Sequence, residues 1–293
     1  MLQIFKKKKK NEIVLLVCFG ILFICVMGYI SATQNVGKEV TDIQGNIETG
    51  VFRITEEDVR TVSDEADRID LSDYEDDYVI DKAGDYVLTG EFEHTVYVDV
   101  EEKIVHLFLD NVRIDATKGA AIQVVSAAKV VITLLPGTEN VLIDAPIREL
   151  NPDAKAAVMS QADLTINGEG KLVVCGYYED GIRTKDVLKL LGGEIHLQAK
   201  KDGLRGSDGA LLSMDRLHIE SEGNGVYTAN TGKTGKGNIE IAKGDISVIA
   251  GEYGFFSQGD LSVYECHISG KGVRGLYHTE GQCSIEEGCM DNE

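Results

Sequence analysis

The sequence predicts an all-β fold, a single-stranded right-handed parallel β-helix in which each coil takes about 22 residues. A short acidic motif recurs at that period, at residues 180–186, 202–208 and, more weakly, 224–230. Short β-branched and aromatic runs are separated by Gly, Asn and Asp, and no sustained helical period interrupts them. A fixed period of this length is typical of solenoids, because each repeat buries its apolar face only by stacking on its neighbours.

Apolar residues at matching positions of the repeats predict the buried columns of this solenoid. One column is formed by Ile182, Leu204, Val226, Phe255 and Leu276. Two further columns follow within each repeat, which predicts three strands per coil, each parallel to its equivalent in the next coil. At a rung spacing of ~4.8 Å, about nine or ten coils fit between Tyr78 and Glu293. The rival fold, a β-sandwich, requires no such fixed register.

Residues 1–35 have the pattern of a signal-anchor or a signal peptide. Consecutive lysines at residues 6–10 precede an apolar run over residues 13–30. That run is near the minimum length for a helix that crosses a bilayer, and the lysines before it keep the N-terminus cytoplasmic. Both alternatives export the rest of the chain. It is expected on the extracellular face of the membrane, at the cell surface, or secreted after cleavage.

Residues 36–77 are predicted to be an acidic linker or stalk. Within them, residues 56–77 carry eleven acidic side chains in twenty-two positions. Such a run repels itself and is usually a solvated spacer. The remaining residues, 78–293, are predicted to form the β-helix domain.

The formal net charge of −20 argues against a nucleic-acid partner, because the phosphates would be repelled. The chain is expected to be a monomer. No cysteine spacing matches a zinc site. Cys266, Cys283 and Cys289 fall close together, and in an oxidising compartment one pair of them could form a disulfide. The sequence leaves open which pair that is.

A column of outward-facing side chains is predicted beside the buried column, because successive residues of a strand face opposite ways. It comprises Met159, Arg183, Arg205, Tyr227, Phe256 and Tyr277. Exposed apolar groups in a row are typical of binding surfaces, aromatic faces pack on sugar rings, and arginine pairs with carboxylates. The five residues from Arg183 onward are therefore predicted to bind a linear polysaccharide. The alternative is a packing stripe under a neighbouring loop or the C-terminal tail.

Two ladders of acidic or amide side chains flank that column. The inner ladder is Asp180, Asp202 and Asn224, and the outer ladder is Asp186, Asp208 and Asn230. Carboxylates on adjacent rungs lie close enough to share Ca²⁺, which takes about six to eight oxygen ligands. The ladders are therefore predicted to bind calcium as the cofactor. The alternative is that each Asp caps its own turn by accepting hydrogen bonds from backbone amides.

The sequence contains no nucleophile elbow and no phosphate-binding glycine loop, so a non-catalytic binding protein is expected. One enzymatic alternative is a calcium-dependent polysaccharide lyase acting on uronates, because Arg183 and Arg205 stand beside the aspartates. A third alternative is a structural or adhesive surface protein that binds another protein.

Three groups of residues, taken in order, resemble a known family. They are residues 130–140, residues 163–172, and the Asp-Gly motifs that begin at Asp180 and Asp202. Together they are similar to the bacterial cell-surface carbohydrate-binding β-helix family over about residues 78–280. The resemblance implies a right-handed parallel β-helix of pectate-lyase-like fold and bound calcium. It also implies binding of plant cell-wall glycans such as cellulose or polygalacturonate, without established cleavage.

By motif, the resemblance assigns calcium ligation to the four aspartates of the ladders. Asn224 and Asn230 depart from the family pattern, since an amide replaces the carboxylate. The chain also contains no Trp, the residue on which many sugar-binding surfaces rely.

Overall fold

The computed structural model describes residues 40–41, 47–148, 153–231 and 235–290. The chain divides into two compact units, Met1–Gly50 and Val51–Glu293. In the first unit, β1 (Val40–Thr41) and β2 (Ile47–Thr49) pair antiparallel. The predicted signal-anchor or signal peptide, residues 1–35, lies outside the described residues. Among those that are described, no helix is long and apolar enough to cross a membrane.

The second unit consists of short strands and two 3₁₀ helices, Glu56–Val59 and Leu71–Asp73. β-Branched and aliphatic residues favour the strands, and Gly, Asn and Asp favour the turns. In chain order the strands are β3 Phe52–Ile54, β4 Asp67–Asp70, β5 Tyr78–Ile80, β6 Gly84–Thr89, β7 Glu91–Phe92, β8 Val96–Asp99, β9 Ile104–Leu109, β10 Arg113–Asp115, β11 Ile122–Ser126, β12 Lys129–Leu134, β13 Glu139–Ile143, β14 Ala156–Ser160, β15 Asp163–Gly168, β16 Lys171–Gly176, β17 Asp180–Thr184, β18 Val187–Leu191, β19 Glu194–Ala199, β20 Leu204–Gly206, β21 Gly209–Ser221, β22 Val226–Thr228, β23 Asn238–Ala250, β24 Tyr253–Ser257, β25 Leu261–Val263, β26 Cys266–Gly272, β27 Gly275–Thr279 and β28 Cys283–Ile285.

These strands form three parallel faces that the chain visits in turn. The first face is a nine-stranded sheet in the order β5-β8-β11-β14-β17-β20-β22-β24-β27. The second contains β4, β6, β9, β12, β15, β18, β25 and β28, and the third contains β7, β10, β13, β16, β19 and β26. The long strands β21 and β23 run through both the second and the third face. The second unit is thus a parallel β-solenoid with three strands per coil, which confirms the prediction of an all-β solenoid of parallel strands.

The pairing register brings residues 22 or more positions apart into vertical contact. Ile182 pairs with Leu204, Leu204 with Val226, and Val226 with Phe255. All four side chains are fully buried in one continuous core. Burying a side chain of this size contributes roughly 1.5–3 kcal/mol. The predicted inward column is confirmed for these four residues.

In the last coil the predicted register is wrong by one residue. Phe255 pairs with Tyr277 and Phe256 pairs with His278, whereas the sequence pattern placed Leu276 beneath Phe255. The prediction followed the apolar character of Leu276, but the backbone hydrogen bonds align β27 one position further on. Tyr277 is therefore the register partner of Phe255, yet it is 44% exposed. Leu276 is partly buried and packs against the core, as its apolar character predicted.

The acidic segment predicted as a solvated linker, residues 36–77, is from Val51 onward part of the compact unit. We call residues 51–59 the strap. It comprises β3 and the helix Glu56–Val59, which contacts β15. Phe52 and Asp58 of the strap are buried. This part of the acidic run therefore packs on the solenoid and is not a solvated spacer.

Asp58 anchors the strap on the second face of the solenoid. Its carboxylate accepts hydrogen bonds from Nζ of Lys129 and of Lys189, each at 2.9 Å. Burial raises the pKa of this carboxyl, but Lys189, Thr165 and the Thr55 backbone outweigh burial, so the pKa lies well below its ordinary value. The two lysines supply the counter-charge that a buried carboxylate requires.

The cysteines that the structure describes are free thiols: Cys175, Cys266, Cys283 and Cys289. The backbone N–H of Cys266 donates to Sγ of Cys289 at 3.5 Å, so these two residues are adjacent. Cys283 is exposed. A disulfide in this region stays a prediction.

Candidate functional site

The outward side of the first face presents side chains from five successive coils in one column. Arg183 pairs in register with Arg205, Arg205 with Tyr227, Tyr227 with Phe256, and Phe256 with His278. All five side chains are half-buried. We call these five residues the stripe. The structure therefore brings together four of the predicted binding residues and adds a histidine.

The members of the stripe contact one another along the solenoid axis. The guanidinium carbon of Arg205 lies 4.6 Å from the centre of the Tyr227 ring. Tyr227 and Phe256 have ring centres 5.4 Å apart, and Phe256 meets His278 edge-on at 4.8 Å. These are the separations at which aromatic pairs are favourable, so the stripe is a continuous packed surface rather than a row of separate side chains.

Sequence reasoning missed two members of this surface, Tyr253 and His278. The Tyr253 ring lies 5.4 Å from Phe256 and 5.1 Å from His278. The available signal was the position of Tyr253 three residues before Phe256, which matches the spacing of Asp180 to Arg183 in an earlier coil. His278 was missed because the last coil was assigned one residue out of register.

Tyr277, which was predicted to belong to the outward column, does not lie in it. Tyr277 pairs with the buried Phe255, although 44% of it is exposed. The next residue, His278, is the one that pairs with Phe256 and contacts its ring. The role of Tyr277 in ligand binding stays a prediction that the register does not support.

The stripe ends at Arg183, because the next outward residue of the column is covered. Met159 pairs in register with Arg183 but is only 1% exposed. The connection before β14 is fastened by the buried Arg148, whose Nε and Nη2 donate to the carbonyl oxygens of Ala154 and Ala156 at 2.9 and 3.1 Å. The exposed column therefore has a defined end on this side.

The inner ladder caps the turns that precede the strands of the first face. Oδ1 of Asp180 accepts the backbone N–H of Asp202 at 3.2 Å, and Oδ1 of Asp202 accepts that of Asn224 at 3.0 Å. Oδ1 of Asn224 accepts the backbone N–H of Tyr253 at 3.2 Å. All three capping side chains are buried, so each one satisfies an amide of the next coil.

The remaining oxygen of each inner carboxylate binds an arginine of the stripe. Nη1 of Arg183 donates to Oδ2 of Asp180 at 3.1 Å, and Nη1 of Arg205 donates to Oδ2 of Asp202 at 3.2 Å. Burial, followed by the charge of Asp202, raises the pKa of Asp180 to about 6, although both arginines act in the opposite direction. The guanidinium groups are thus held beside the aromatic rings by buried carboxylates.

The inner ladder does not fit a calcium site. Each of its carboxylates already accepts one backbone N–H and one guanidinium N–H, whereas calcium requires about six to eight oxygen ligands. In the part of the chain that the structure describes, no group of three or more His, Cys, Asp or Glu side chains is placed to hold a metal ion. The contacts match the alternative of turn capping, and calcium binding stays a prediction.

The outer ladder lies at the other end of the same strands. Asp180 begins β17 and Asp186 lies two residues beyond its end at Thr184, so the length of the strand, roughly 13 Å at ~3.3 Å per residue, lies between them. The two ladders therefore do not converge on one site, as the calcium prediction required. Oδ1 of Asp208 accepts the side-chain amide of Asn230, and Oδ2 accepts the ammonium of Lys236.

Comparisons with known proteins point to one family. Residues 74–284 match the family described as carbohydrate-binding domain-containing protein. A protein of that description from Acetivibrio thermocellus is 35% identical over 236 residues, which cover 77% of this chain and 81% of that protein. A solved structure of the polysaccharide lyase-like protein from C. thermocellum, a gadolinium derivative, aligns with a TM-score of 0.72 at 32% identity. That alignment covers 74% of this chain and 90% of the other.

The family match spans nearly the whole of the solenoid, from the residues before β5 to β28. The relative from Acetivibrio thermocellus is similar over most of both chains, and the solved structure has the same overall fold. The chain therefore belongs to the family of carbohydrate-binding domain-containing proteins.

Proposed function

We propose that this protein binds polysaccharide along the stripe and Tyr253, and that it does not cleave the ligand. The observation that carries the proposal is the continuous set of contacts from Arg205 through Tyr227 and Phe256 to His278. Aromatic side chains offer large rigid surfaces whose apolar faces suit the C–H faces of sugar rings. Their alignment along the solenoid axis suits a linear polymer.

The dimensions of the stripe specify how the polymer lies. Five rungs at ~4.8 Å extend over about 20 Å, and the buried Met159 marks one end. A ligand therefore lies along the solenoid axis, and an oligosaccharide that spans about 20 Å fills the surface. The proposed ligands are plant cell-wall glycans such as cellulose or polygalacturonate.

The arginines are expected to contribute less to ligand binding than their charge suggests. The Arg183 and Arg205 side chains are only 14% and 17% exposed, and each already binds a buried carboxylate. The two guanidinium groups present a narrow polar edge to a ligand. The rings of Tyr227, Tyr253 and Phe256 supply the larger contact area. Replacing one of these aromatic rings by alanine is therefore expected to weaken binding more than raising the ionic strength, which screens the arginine charges, does.

A polysaccharide lyase acting on uronates is the second candidate, favoured by the similarity to the solved polysaccharide lyase-like protein. A lyase requires a base that removes a proton from the sugar. Arg183 and Arg205 do not suit that role, because each donates to a buried carboxylate and guanidinium groups remain protonated in proteins. Binding without cleavage therefore fits the geometry better.

Affinity electrophoresis of the chain in gels cast with pectate, a cellulose derivative or xylan tests the proposal. Tyr227→Ala and Phe256→Ala are expected to lose about thirtyfold or more in affinity, because truncating a central aromatic costs ~2 kcal/mol or more. His278→Ala is expected to weaken retention, whereas Tyr277→Ala leaves it unchanged. Tyr177→Ala is the matched control, since this tyrosine lies in the turn after β16, is 45% exposed and is outside the stripe.

The outcomes separate the candidate functions. Retention of the wild-type chain that the stripe variants lose supports the proposal. New absorbance of unsaturated uronates during incubation with pectate establishes a lyase instead. No retention on any glycan favours a structural or adhesive protein that binds another protein.

The cellular location of the protein is proposed from its sequence alone. The lysines and the apolar run within residues 1–35 support export, with the solenoid at the cell surface or secreted. We also propose that the protein is a monomer. Its coils are proposed to be right-handed, since about 98% of crossover connections between parallel strands of one sheet are right-handed.

A further inference from the structure

We infer that the carboxylate ladders are neutralised by cations of the chain itself, Arg183, Arg205 and Lys236, and that neither folding nor glycan binding depends on a metal ion held by these ladders. This inference goes beyond the proposed function, because it concerns what compensates the charge behind the binding surface. It also differs from the calcium dependence that the sequence suggested.

The first support is that charge and counter-charge change together from coil to coil. Asp180 is followed three residues later by Arg183, and Asp202 by Arg205. In the next coil the acid is replaced by Asn224, and Tyr227 stands where the arginine was. The arginine is absent where the negative charge is absent, as expected if its role is to neutralise that charge.

The hydrogen bond that caps the turn is kept when the aspartate is replaced by Asn224. Asn224 accepts the backbone N–H of Tyr253 with its amide oxygen, just as Asp202 accepts that of Asn224. Turn capping needs only an oxygen acceptor, which an amide supplies. A shared cation, in contrast, favours carboxylates on each rung. The inner ladder therefore has a structural role in which arginine is the counter-ion.

The second support comes from the outer ladder, which receives its cation from a different element. Lys236 lies on the connection between β22 and β23, and its ammonium donates to Oδ2 of Asp208. A single cleft is lined by Asp163, Asp186, Asp208 and Lys236. The hydrogen bond to Asp208, with the charges of Asp208, Asp186 and Asp163, raises the pKa of Lys236. The ammonium thus supplies the positive charge that a metal ion would otherwise bring to this cleft.

A divalent ion would have to displace these groups. At the inner ladder, removing Arg183 from Asp180 would leave a nearly buried guanidinium without its carboxylate, which is strongly unfavourable. At the outer ladder, the ion would compete with a lysine that is covalently attached and already in place. Internal cations are therefore the more stable arrangement.

The first test measures thermal unfolding of the full chain in excess EGTA, in calcium, and in magnesium at matched ionic strength. We expect the same melting temperature in all three solutions, and equilibrium dialysis that finds less than about one calcium ion per chain. A rise of the melting temperature in calcium but not in magnesium would overturn the inference. So would retention of one or more calcium ions per chain after dialysis.

The second test removes the internal cation of the outer ladder. Lys236→Met is expected to lower the melting temperature by about 2–4 °C, and Lys236→Arg is expected to restore it. Lys243→Met is the matched control, because this lysine is 64% exposed and its partner Asp215 lies 3.6 Å away at the surface. Equal effects of Lys236→Met and Lys243→Met would contradict the assignment of Lys236.

The third test separates charge compensation from other roles of arginine in the inner ladder. Arg183→Met leaves the buried Asp180 unpaired and is expected to lower the melting temperature by about 10 °C. The double variant with Asp180→Asn is expected to recover most of that loss. A double variant as unstable as the single one contradicts the pairing. If Arg183→Met does not fold, folding of the double variant alone still establishes the compensation.

Glycan binding distinguishes this inference from the proposed function. Retention in pectate or cellulose-derivative gels is expected to be the same with and without EGTA. Retention that calcium alone restores overturns the inference while leaving polysaccharide binding intact. An absence of retention in every gel overturns the proposed function, and the melting measurements then still decide the inference.

Discussion

At the scale of single residues, the surroundings of each aspartate decide its ionisation. Asp58 and Asp180 are both fully buried, yet their pKa values move in opposite directions. Two lysine ammonium groups face Asp58, and the pKa is lowered. Arg183 and Arg205 both act to lower the pKa of Asp180, but burial and the neighbouring carboxylate of Asp202 prevail and raise it to about 6.

The raised pKa of Asp180 predicts a pH dependence of stability. Its value moves from 3.8 to about 6 on folding, so the folded chain binds this proton more tightly than the unfolded chain. The contribution is complete below about pH 4 and is lost as the pH rises through about 6, on the order of 3 kcal/mol in total. Urea unfolding of wild type and Asp180→Asn between about pH 4.5 and 7.5 measures it.

The Asp180→Asn variant is expected to show a shallower decline of the free energy of unfolding than wild type over that range. Some decline of the free energy of unfolding with pH is expected to remain in the variant, because burial raises the pKa of Asp144 to about 6 as well. Asp58 does not contribute in this window, because its lowered pKa takes effect only at more acidic pH. Identical slopes for wild type and variant would rule out Asp180 as a source of the decline.

At the scale of elements, the strap shows how an acidic segment becomes part of a core. Its carboxylate at Asp58 reaches Lys129 of β12 and Lys189 of β18, two strands on either side of β15. Nζ of Lys189 also donates to the carbonyl oxygen of Arg53 at 2.6 Å. The strap therefore joins three neighbouring coils through one buried ionic cluster.

Removal of one lysine from this cluster predicts a large loss of stability. Lys189→Met leaves the buried Asp58 with Lys129 as its remaining lysine partner, and breaking a buried ion pair costs about 3–5 kcal/mol. Urea unfolding followed by circular dichroism measures the change. The exposed Lys243→Met is the control, with an expected change within about 0.5 kcal/mol. Comparable losses in the two variants would show that the strap is not held by this cluster.

At the scale of the whole molecule, each coil contacts mainly the coils on either side of it. Stability in such a solenoid is a sum of local terms, so different coils need not unfold together. Ile182 and Leu204 have buried neighbours on both sides in their column, whereas Tyr277 has Phe255 on one side and remains exposed. Local stability is therefore expected to fall from the middle coils towards β27.

Hydrogen exchange tests this gradient. Backbone amides of β17 and β20 are expected to exchange at least tenfold more slowly than those of β27, because opening them exposes buried residues of two adjoining coils. Mass spectrometry of peptides from a native-state exchange series resolves the three strands. Equal protection of β27 and β17 would mean that the solenoid unfolds as one cooperative unit.

Much of the fold was predictable because its dominant contacts repeat at a constant spacing. The column of Ile182, Leu204 and Val226 follows from the 22-residue period and from strand alternation. The stripe was predictable for the same reason as far as Phe256. Tyr277 was assigned wrongly, because a one-residue change of register in the last coil leaves no clear trace in the apolar pattern.

The period, the parallel pairing of the coils and most of the outward column follow from regular spacing along the chain, so the amino-acid pattern specifies them. The partners of the charged groups depend instead on how distant segments pack together. Asp58 meets Thr165 across 107 residues, and Lys236 reaches Asp208 from a different coil. Composition shows that a buried carboxylate needs a counter-charge, but contacts between distant segments determine whether an arginine or a lysine provides it.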